Sequence, residues 1–164
     1  MKFKNLVLTL GVLMMLAFTS MAAAAPSQVN RSMTAINAAK AEIPAVCELV
    51  GYNVDGDTSI ITFKDPNTLE RYVVDVNTAT AKVQEIEVKG AIFVMGSTMV
   101  TKTPDDIEKI VLKNYPNAYE IVITQGQDGN NIYYIADFLT DKFDGELKLD
   151  PVTGAICERE LEYF

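Results

Sequence analysis

The residues of this chain that could carry chemistry are carboxylates, two cysteines and tyrosines, because the sequence contains no histidine and no tryptophan. Without an imidazole, neither a Ser-His nor a Cys-His catalytic pair can form, and a common metal ligand is missing. Carboxylates are scattered over every loop, and none lies in an apolar stretch that would tune it as a general acid. We therefore predict that the protein is not an enzyme and holds no cofactor.

One acidic cluster is dense enough to be considered as a cation site. It contains Asp137, Asp141, Asp144 and Glu146, whose carboxylate oxygens are the ligands that calcium prefers. Their spacing matches no compact calcium loop. We therefore predict no metal site there and interpret the cluster as a solvated loop, with calcium uptake as the alternative.

The two cysteines, Cys47 and Cys157, lack the CxxC spacing of redox and metal sites. In an exported protein, such a pair favours a structural disulfide, which would here close a long loop. Strand alternation instead places Cys47 toward a helix and Cys157 outward, and this favours a buried and a half-exposed free thiol. The sequence leaves both alternatives open.

Tyrosines give the only indication of a binding surface. Tyr133 and Tyr134 are neighbours on one predicted strand, so one of them must lie on the sheet face away from the helix. Tyr52 and Tyr72 are candidates for the same open face. Exposed tyrosines on a rigid sheet often recognise proteins, so we predict Tyr52, Tyr72 and Tyr133 as partner-binding residues. The alternative is cross-strand packing or packing between two halves of the chain.

The N-terminal segment has the layout of a secretory signal peptide. Two lysines precede an apolar run from Leu6 to Phe18, and small residues follow. We predict cleavage after Ala24, so that residues 1–24 are removed and residues 25–31 form an N-terminal tail. An uncleaved anchor is the alternative. The predicted location is secreted or periplasmic, with no stable membrane span after cleavage.

The chain is acidic, with a formal net charge of −8. Both lysines of the predicted signal peptide are lost on cleavage, which leaves 12 basic against 22 acidic residues and a net charge of −10. Such a chain is repelled by phosphate, so we predict that it does not bind nucleic acid. Solubility is the plain interpretation of the charge, and attraction to a basic partner is the functional one.

The rest of the chain contains an internal sequence repeat. Residues 74–83 correspond to residues 147–156, with apolar residues at matching positions. Internal duplication at this spacing indicates two copies of one supersecondary unit. We predict a first repeat over residues 32–89, an apolar connector over residues 90–102 and a second repeat over residues 103–164.

Each repeat opens with a helix and continues as four strands. Thr103 and Pro104 supply an N-cap and a first-turn proline for the second helix, and Ser32 or Thr34 is the predicted cap of the first. Runs with β character, separated by turn residues, follow each helix. The predicted strands cover residues 46–54, 60–64, 71–76, 81–88, 118–124, 132–137, 146–149 and 155–161.

Consecutive strands with short connections indicate antiparallel pairing, because a parallel sheet needs longer crossovers. The predicted fold class is therefore α+β, with two tandem copies of a helix packed on an antiparallel β-meander. Each copy has only about 60 residues, near the lower limit for burying enough apolar surface alone. We expect the two copies to pack together or to share a sheet.

Both repeats end with a strand, a turn of the form Asp/Asn-x-x-Thr-Gly/Ala and a further strand. The segments are VNTATAKV (residues 76–83) and LDPVTGAI (residues 149–156). Together with the preceding helix and its terminal x-Pro, this ending resembles the signature of PepSY domains over nearly all of residues 32–162. A related set of these domains is similar to the β-lactamase-inhibitor fold, a tandem of helix-plus-sheet units. The first repeat departs from the signature because Ala81 replaces the expected glycine.

The turn also has a local physical interpretation. The Asp150 carboxylate can accept hydrogen bonds from backbone N–H groups two or three residues on, and Thr153 can support the same turn. Gly154 can adopt the positive φ that closes it. We predict that this motif, and its counterpart around Asn77 and Thr80, is a device for turning the chain rather than a binding site.

PepSY domains occur in propeptides of secreted metallopeptidases and in standalone envelope proteins, and they are proposed to restrain peptidases. The resemblance therefore implies a non-catalytic extracytoplasmic binding module that restrains or inhibits a secreted peptidase or another hydrolase. The alternative is a structural envelope protein, or one that senses a ligand or cation through its acidic loops. The structural or cation-sensing alternative predicts a rise in unfolding temperature with Ca²⁺ that a chelator reverses, whereas a binding module for a peptidase predicts no such effect.

Overall fold

A helix followed by four strands occurs twice along the chain in the computed structural model, which describes residues 28–90 and 96–164. The predicted signal peptide and its cleavage site lie outside the described residues, as do residues 91–95 of the predicted connector. The elements are α1 (Gln28–Ala41), β1 (Glu48–Asp55), β2 (Thr58–Lys64), β3 (Arg71–Asn77), β4 (Val83–Lys89), α2 (Pro104–Asn114), β5 (Tyr119–Asp128), β6 (Asn131–Leu139), β7 (Phe143–Leu149) and β8 (Ile156–Tyr163).

All eight strands belong to one antiparallel sheet, in the order β1-β2-β3-β4-β8-β7-β6-β5. The predicted fold class, two tandem copies of a helix packed on an antiparallel β-meander, is therefore wrong. A free-standing meander would leave its last strand as an open edge with unpaired backbone groups. Here the last strands of the two halves, β4 and β8, pair with each other. The sheet consequently runs through both halves, and its edges are β1 and β5.

The β4–β8 pair is the seam of this sheet. Ile86 lies opposite Leu161, and Glu87 lies opposite Glu160. Because successive side chains point to opposite faces, the apolar pair projects to one face and the acidic pair to the other. Ile86 and Leu161 are both buried, so the apolar core continues across the seam.

Both helices lie on one face of the sheet, α1 over β2 and β3 and α2 over β5 and β6. Ala35 and Ala39 of α1 are fully buried, and so are Ile107 and Val111 of α2. Their side chains and the helix-facing strand residues form one core cluster. The molecule therefore has two layers, and the second face of the sheet carries no helix of the described residues.

The helix starts test two details of the sequence prediction. Thr103 caps α2 as predicted: its Oγ1 accepts from the N–H of Asp106, while an Asp106 carboxylate oxygen accepts from the N–H of Thr103. Ser32 and Thr34 both lie inside α1, so the prediction that either caps it is wrong. The hydroxyl of Thr34 instead donates to the backbone carbonyl of Asn30, one turn earlier.

Polar side chains also join the two halves on the helix face. Arg159 of β8 lies 3.3 Å from Glu70, which immediately precedes β3. The hydroxyl of Tyr72 donates to the same carboxylate at 2.9 Å. Burial and this hydrogen bond raise the pKa of Tyr72 well above its usual range. Glu70 is thus held from both halves of the sheet.

The turn between β7 and β8 has the predicted geometry. Asp150 Oδ1 accepts from the backbone N–H groups of Val152 and Thr153, at 3.1 and 2.7 Å, and from the Thr153 hydroxyl at 2.7 Å. The accepted hydrogen bonds outweigh burial and lower the pKa of Asp150. Gly154 has a φ of 76°. The prediction that this motif turns the chain is confirmed.

The equivalent turn between β3 and β4 repeats the pattern. Asn77 Oδ1 accepts from the backbone N–H groups of Ala79 and Thr80 and from the Thr80 hydroxyl, at 3.1, 2.9 and 3.0 Å. Ala81 occupies the glycine position with a φ of 55°, in the left-handed region. That conformation costs a non-glycine residue about 1–2 kcal/mol. The first turn therefore keeps its shape despite its departure from the signature.

These two turns predict opposite effects of exchanging alanine and glycine. Ala81→Gly removes the left-handed strain and should raise the free energy of unfolding by about 0.5–1 kcal/mol. Gly154→Ala should lower it by more than about 1 kcal/mol, because its Cβ would also lie 2.5 Å from Ile110 Cδ1. Urea denaturation measures both changes. A loss of stability in Ala81→Gly would contradict this account of the first turn.

A second pair of glycine variants tests the packing under α2. The ring of Phe138 on β6 covers Gly145 on β7, where a Cβ would lie 2.4 Å from the ring. Gly145→Ala should therefore destabilise the protein by about 1–3 kcal/mol. Gly51→Ala is the control, because its Cβ would meet only Thr62 at ordinary contact distance. Equal thermal unfolding temperatures for the two variants would contradict the proposed packing.

Candidate binding face

The face of the sheet opposite the helices, here called the open face, is built from alternate residues of every strand. On β4, Ile86 and Val88 face the helices, so Glu85 and Glu87 face away. On β8, buried Leu161 sets the same alternation. Because paired residues project to the same side, the strand register extends this assignment across all eight strands.

Two rows of carboxylates cross the centre of the open face, here called the acidic rows. Each row has four carboxylates at facing positions on four neighbouring strands. The Cβ atoms of facing residues are about 5 Å apart, so each row sets like charges side by side. The upper row contains Asp75, Glu85, Glu162 and Asp144, and the lower row contains Glu87, Glu160, Glu146 and Asp137.

Two lysines neutralise part of this charge. Lys89 Nζ lies 2.6 Å from Glu87 and 3.7 Å from Glu158. Lys148 Nζ lies 3.1 Å from Glu158 and 3.6 Å from Glu146. The lysines therefore pair with the lower row and with the position beyond it. Within residues 28–90 and 96–164, no salt bridge reaches the upper row.

Two carboxylates of the upper row, Asp75 and Glu85, have raised pKa values. Partial burial raises the pKa of Asp75, and the neighbouring charge of Glu87 raises it further. Partial burial also raises the pKa of Glu85, and Glu160 is the largest of the charges that add to the effect. Both directions indicate that the ionised form is disfavoured at these two positions.

A depression of about 180 Å³ lies in the acidic rows, where Asp137, Asp144, Glu146, Glu160 and Glu162 line it. Three of the four residues in the acidic cluster that the sequence analysis considered as a cation site belong to this lining, whereas Asp141 lies exposed in the turn after β6. No three acidic or cysteine side chains in the part of the chain that the structure describes are placed to hold a metal ion. The carboxylates are therefore spread over a surface rather than gathered around one point.

The three predicted partner-binding tyrosines are divided between the two faces. Tyr133 lies on the open face, and its ring covers Gly126 of the neighbouring strand. Tyr72 is buried on the helix face, and Tyr52 lies on that face too, with its hydroxyl 3.2 Å from the buried Ser59. The prediction that Tyr52 and Tyr72 lie on the open face is wrong.

The reasons for these two errors differ. A bulge between Leu49 and Gly51 shifts the alternation of β1, so Tyr52 points to the side opposite to an uninterrupted count. On β3, Tyr72 is in phase with the buried Val74 and Val76. That apolar spacing was visible in the sequence.

Cys47 and Cys157 form no disulfide with each other; Cys47 is buried and Cys157 is half-buried. Cys47 precedes β1 at one edge of the sheet, and Cys157 lies in β8, four strands away. Four strand spacings amount to about 19 Å along the sheet, beyond the roughly 7 Å between Cα atoms that a disulfide can span. The sheet therefore keeps the two cysteines apart. Burial raises the pKa of both thiols.

Sequence reasoning missed most of the acidic rows, although a signal was present. Acidic residues recur at every second position in three of the strands, at 85 and 87, at 144 and 146, and at 158, 160 and 162. Within each strand, this spacing puts the acidic residues on the same face. What the spacing could not show is that β4, β8 and β7 are neighbours.

Comparisons with known proteins give distant likenesses. No family model matches the chain, so the PepSY resemblance stays a prediction, and no curated protein matches it. The structure is similar to that of a proposed lipoprotein from Clostridium difficile 630, with 18% identity over 78% of this chain and 90% of that chain and a TM-score of 0.32. It is also similar to that of a BLIP-like protein from Bacteroides fragilis NCTC 9343, with 11% identity over 79% of this chain and 85% of that chain and a TM-score of 0.34. These likenesses assign neither a family nor a function.

No helix among residues 28–90 and 96–164 is long and apolar enough to cross a membrane.

Proposed function

We propose that this protein is a non-catalytic, extracytoplasmic binding module that uses its open face to bind a basic surface of a partner protein. The observation that carries the proposal is the pair of acidic rows, in which eight carboxylates occupy facing positions on the helix-free side of the sheet. From the PepSY resemblance we infer that the partner is a secreted peptidase or another hydrolase, which the module restrains.

The acidic rows are unfavourable for the isolated fold. Like charges directly opposite one another destabilise a sheet. Partial burial is the largest cause of the raised pKa values of Asp75 and Glu85, and repulsion from neighbouring carboxylates adds to it. A cationic surface laid on the rows would relieve the repulsion, whereas solubility requires no such concentration of charge on one face. Complementary charge of this kind raises association rates and selects partners more than it raises affinity.

The open face is also preorganised. Its side chains project from the central strands of a continuous sheet, and its backbone is held by pairing on both sides. Little conformational freedom is then lost when a partner binds. Tyr133 lies on the same face and could add an aromatic contact at its margin.

A cation-sensing function is the second candidate. The all-carboxylate lining of the central depression is the observation that favours it. Against it, the described residues contain no group of three acidic or cysteine side chains placed for one ion. A Ca²⁺-dependent thermal shift that a chelator reverses and that Glu160→Gln abolishes would support this candidate over a protein partner.

The binding proposal is tested with two triple variants that remove the same charge. Glu85→Gln, Glu146→Gln and Glu160→Gln neutralise the open face, whereas Asp57→Asn, Glu108→Gln and Asp141→Asn neutralise exposed carboxylates elsewhere. A partner captured from the native secretome by the wild-type chain is purified, and its binding kinetics are measured at two salt concentrations. The open-face variant should lose about tenfold or more in association rate, and the control should lose little.

Equal losses in the two variants would contradict the role assigned to the open face. A captured partner with no hydrolase activity would contradict the inferred restraint of a hydrolase and leave the binding face intact. The two parts of the proposal therefore fail separately.

A pH prediction follows from the raised pKa values. The pKa of Glu85 is raised in the folded protein above 4.5, its ordinary value. Between these two pKa values the folded protein binds a proton that the unfolded chain lacks. The ionised Glu85 therefore lowers the stability of the fold at neutral pH, and this penalty is relieved as the pH falls toward 4.5. Glu85→Gln should stabilise the protein at pH 7 by roughly 0.2–1 kcal/mol and weaken the gain in stability between pH 7 and pH 5. Thermal unfolding at both pH values measures this, with Glu108→Gln as the control. A destabilised Glu85→Gln at pH 7 would contradict the prediction.

A further inference from the structure

The β1 edge of the sheet carries an unusual share of exposed apolar surface. Seven of the fourteen large apolar side chains exposed among the described residues lie on β1, just before it or on the adjacent helix α1. We call this surface the β1 edge patch; it comprises Val29, Met33, Val46, Leu49, Val50, Tyr52 and Val54.

The patch exists because α1 packs mainly on β2 and β3. The helix-facing side chains of β1 are therefore covered only in part. Val54 is 47% exposed although its register partner Ser59 is fully buried. A depression of about 340 Å³ separates the start of α1 from Tyr52 and Val54.

The same edge has free backbone groups. β1 is the terminal strand of the sheet and pairs only with β2, so one side of its backbone meets no strand of the described residues. Such an edge is a template for a further strand, which natural proteins usually block with charge, proline or distortion. The bulge near Val50 distorts only the first part of β1, and the register is regular from Gly51 to Asp55.

The opposite edge, β5, is more polar than β1. Its regular part begins with one exposed large apolar side chain, Val122, and otherwise carries exposed polar residues such as Thr124, Gln125 and Gln127. Its irregular start contains Glu120 with a φ of 51°. Polar side chains and distortion are the ordinary protection of an edge. The two edges therefore differ in degree: the regular part of β1 carries two exposed large apolar side chains on one face, Tyr52 and Val54, and the regular part of β5 carries one.

We propose that β1 accepts an extended segment of a partner protein as a ninth strand, and that this segment alternates apolar and basic residues. The apolar residues follow from the helix side of β1, where Leu49, Tyr52 and Val54 are exposed. The basic residues follow from its open-face side, where Asp55 is an exposed acid in the regular part of β1; the other acid on that side, Glu48, precedes the bulge and faces Lys64 of β2. Backbone pairing supplies affinity and the two faces supply specificity. This site does not depend on the acidic rows.

The probe is a seven-residue peptide of alternating valine and lysine, with a valine–glutamate peptide as its control. Amide hydrogen exchange of the whole chain, with and without each peptide, measures the result. The valine–lysine peptide should protect those amides of residues 51–55 that point away from β2, and it should leave the amides of residues 122–128 unchanged. The valine–glutamate peptide should bind at least about fivefold more weakly. Val54→Lys should weaken binding by a similar factor, whereas the matched variant Val122→Lys on the β5 edge should not.

Three results would overturn the proposal. These are no protection of β1 at millimolar peptide, equal protection by the two peptides, and protection that grows with protein concentration without peptide, which would assign the edge to a second copy of the chain. Peptide binding should survive Glu85→Gln, Glu146→Gln and Glu160→Gln together. The failure of this proposal and that of the open-face function are thereby distinguishable.

Discussion

Pairing between β4 and β8 is the interaction on which the rest of the structure depends. Each half of the chain ends in a strand whose outer side would otherwise carry unpaired backbone groups, and joining the two sides satisfies them over five residue pairs. The same contact sets Ile86 against Leu161, so the apolar layers under α1 and α2 become one core. A segment of about 60 residues is near the lower limit for burying enough apolar surface to fold alone, and by sharing one sheet the two halves form a single larger core.

The seam also assembles the candidate site. Glu85 and Glu87 come from the first half and Glu160 and Glu162 from the second, so each acidic row exists only because the two strands are adjacent. The stability of the apolar core on the helix face thus offsets the repulsion among the carboxylates on the open face. A local feature that opposes stability, in a fold otherwise consistent from turns to core, is where function is expected.

Local sequence signals predicted the elements better than their arrangement. Thr103 and Asp150 act on neighbouring backbone groups, so their roles could be deduced from a few residues. The partner of β4 could not, because alternation shows which face a side chain occupies and not which strand lies beside it. Tyr52 shows a second limit, since one bulged residue reverses the face of everything after it in the strand. The acidic rows combine both cases. The alternate spacing of their residues is visible in the sequence, but which strands lie next to each other is not.

The central claim is that the two halves form one sheet closed at the seam, and native-state amide hydrogen exchange tests it most directly. If β4 and β8 are paired at the centre of the sheet, the amides of residues 85–89 and 158–162 should be among the slowest to exchange, and both groups should exchange with the free energy of global unfolding. Fast exchange along one side of β4, together with separate opening free energies for the two halves, would contradict the account.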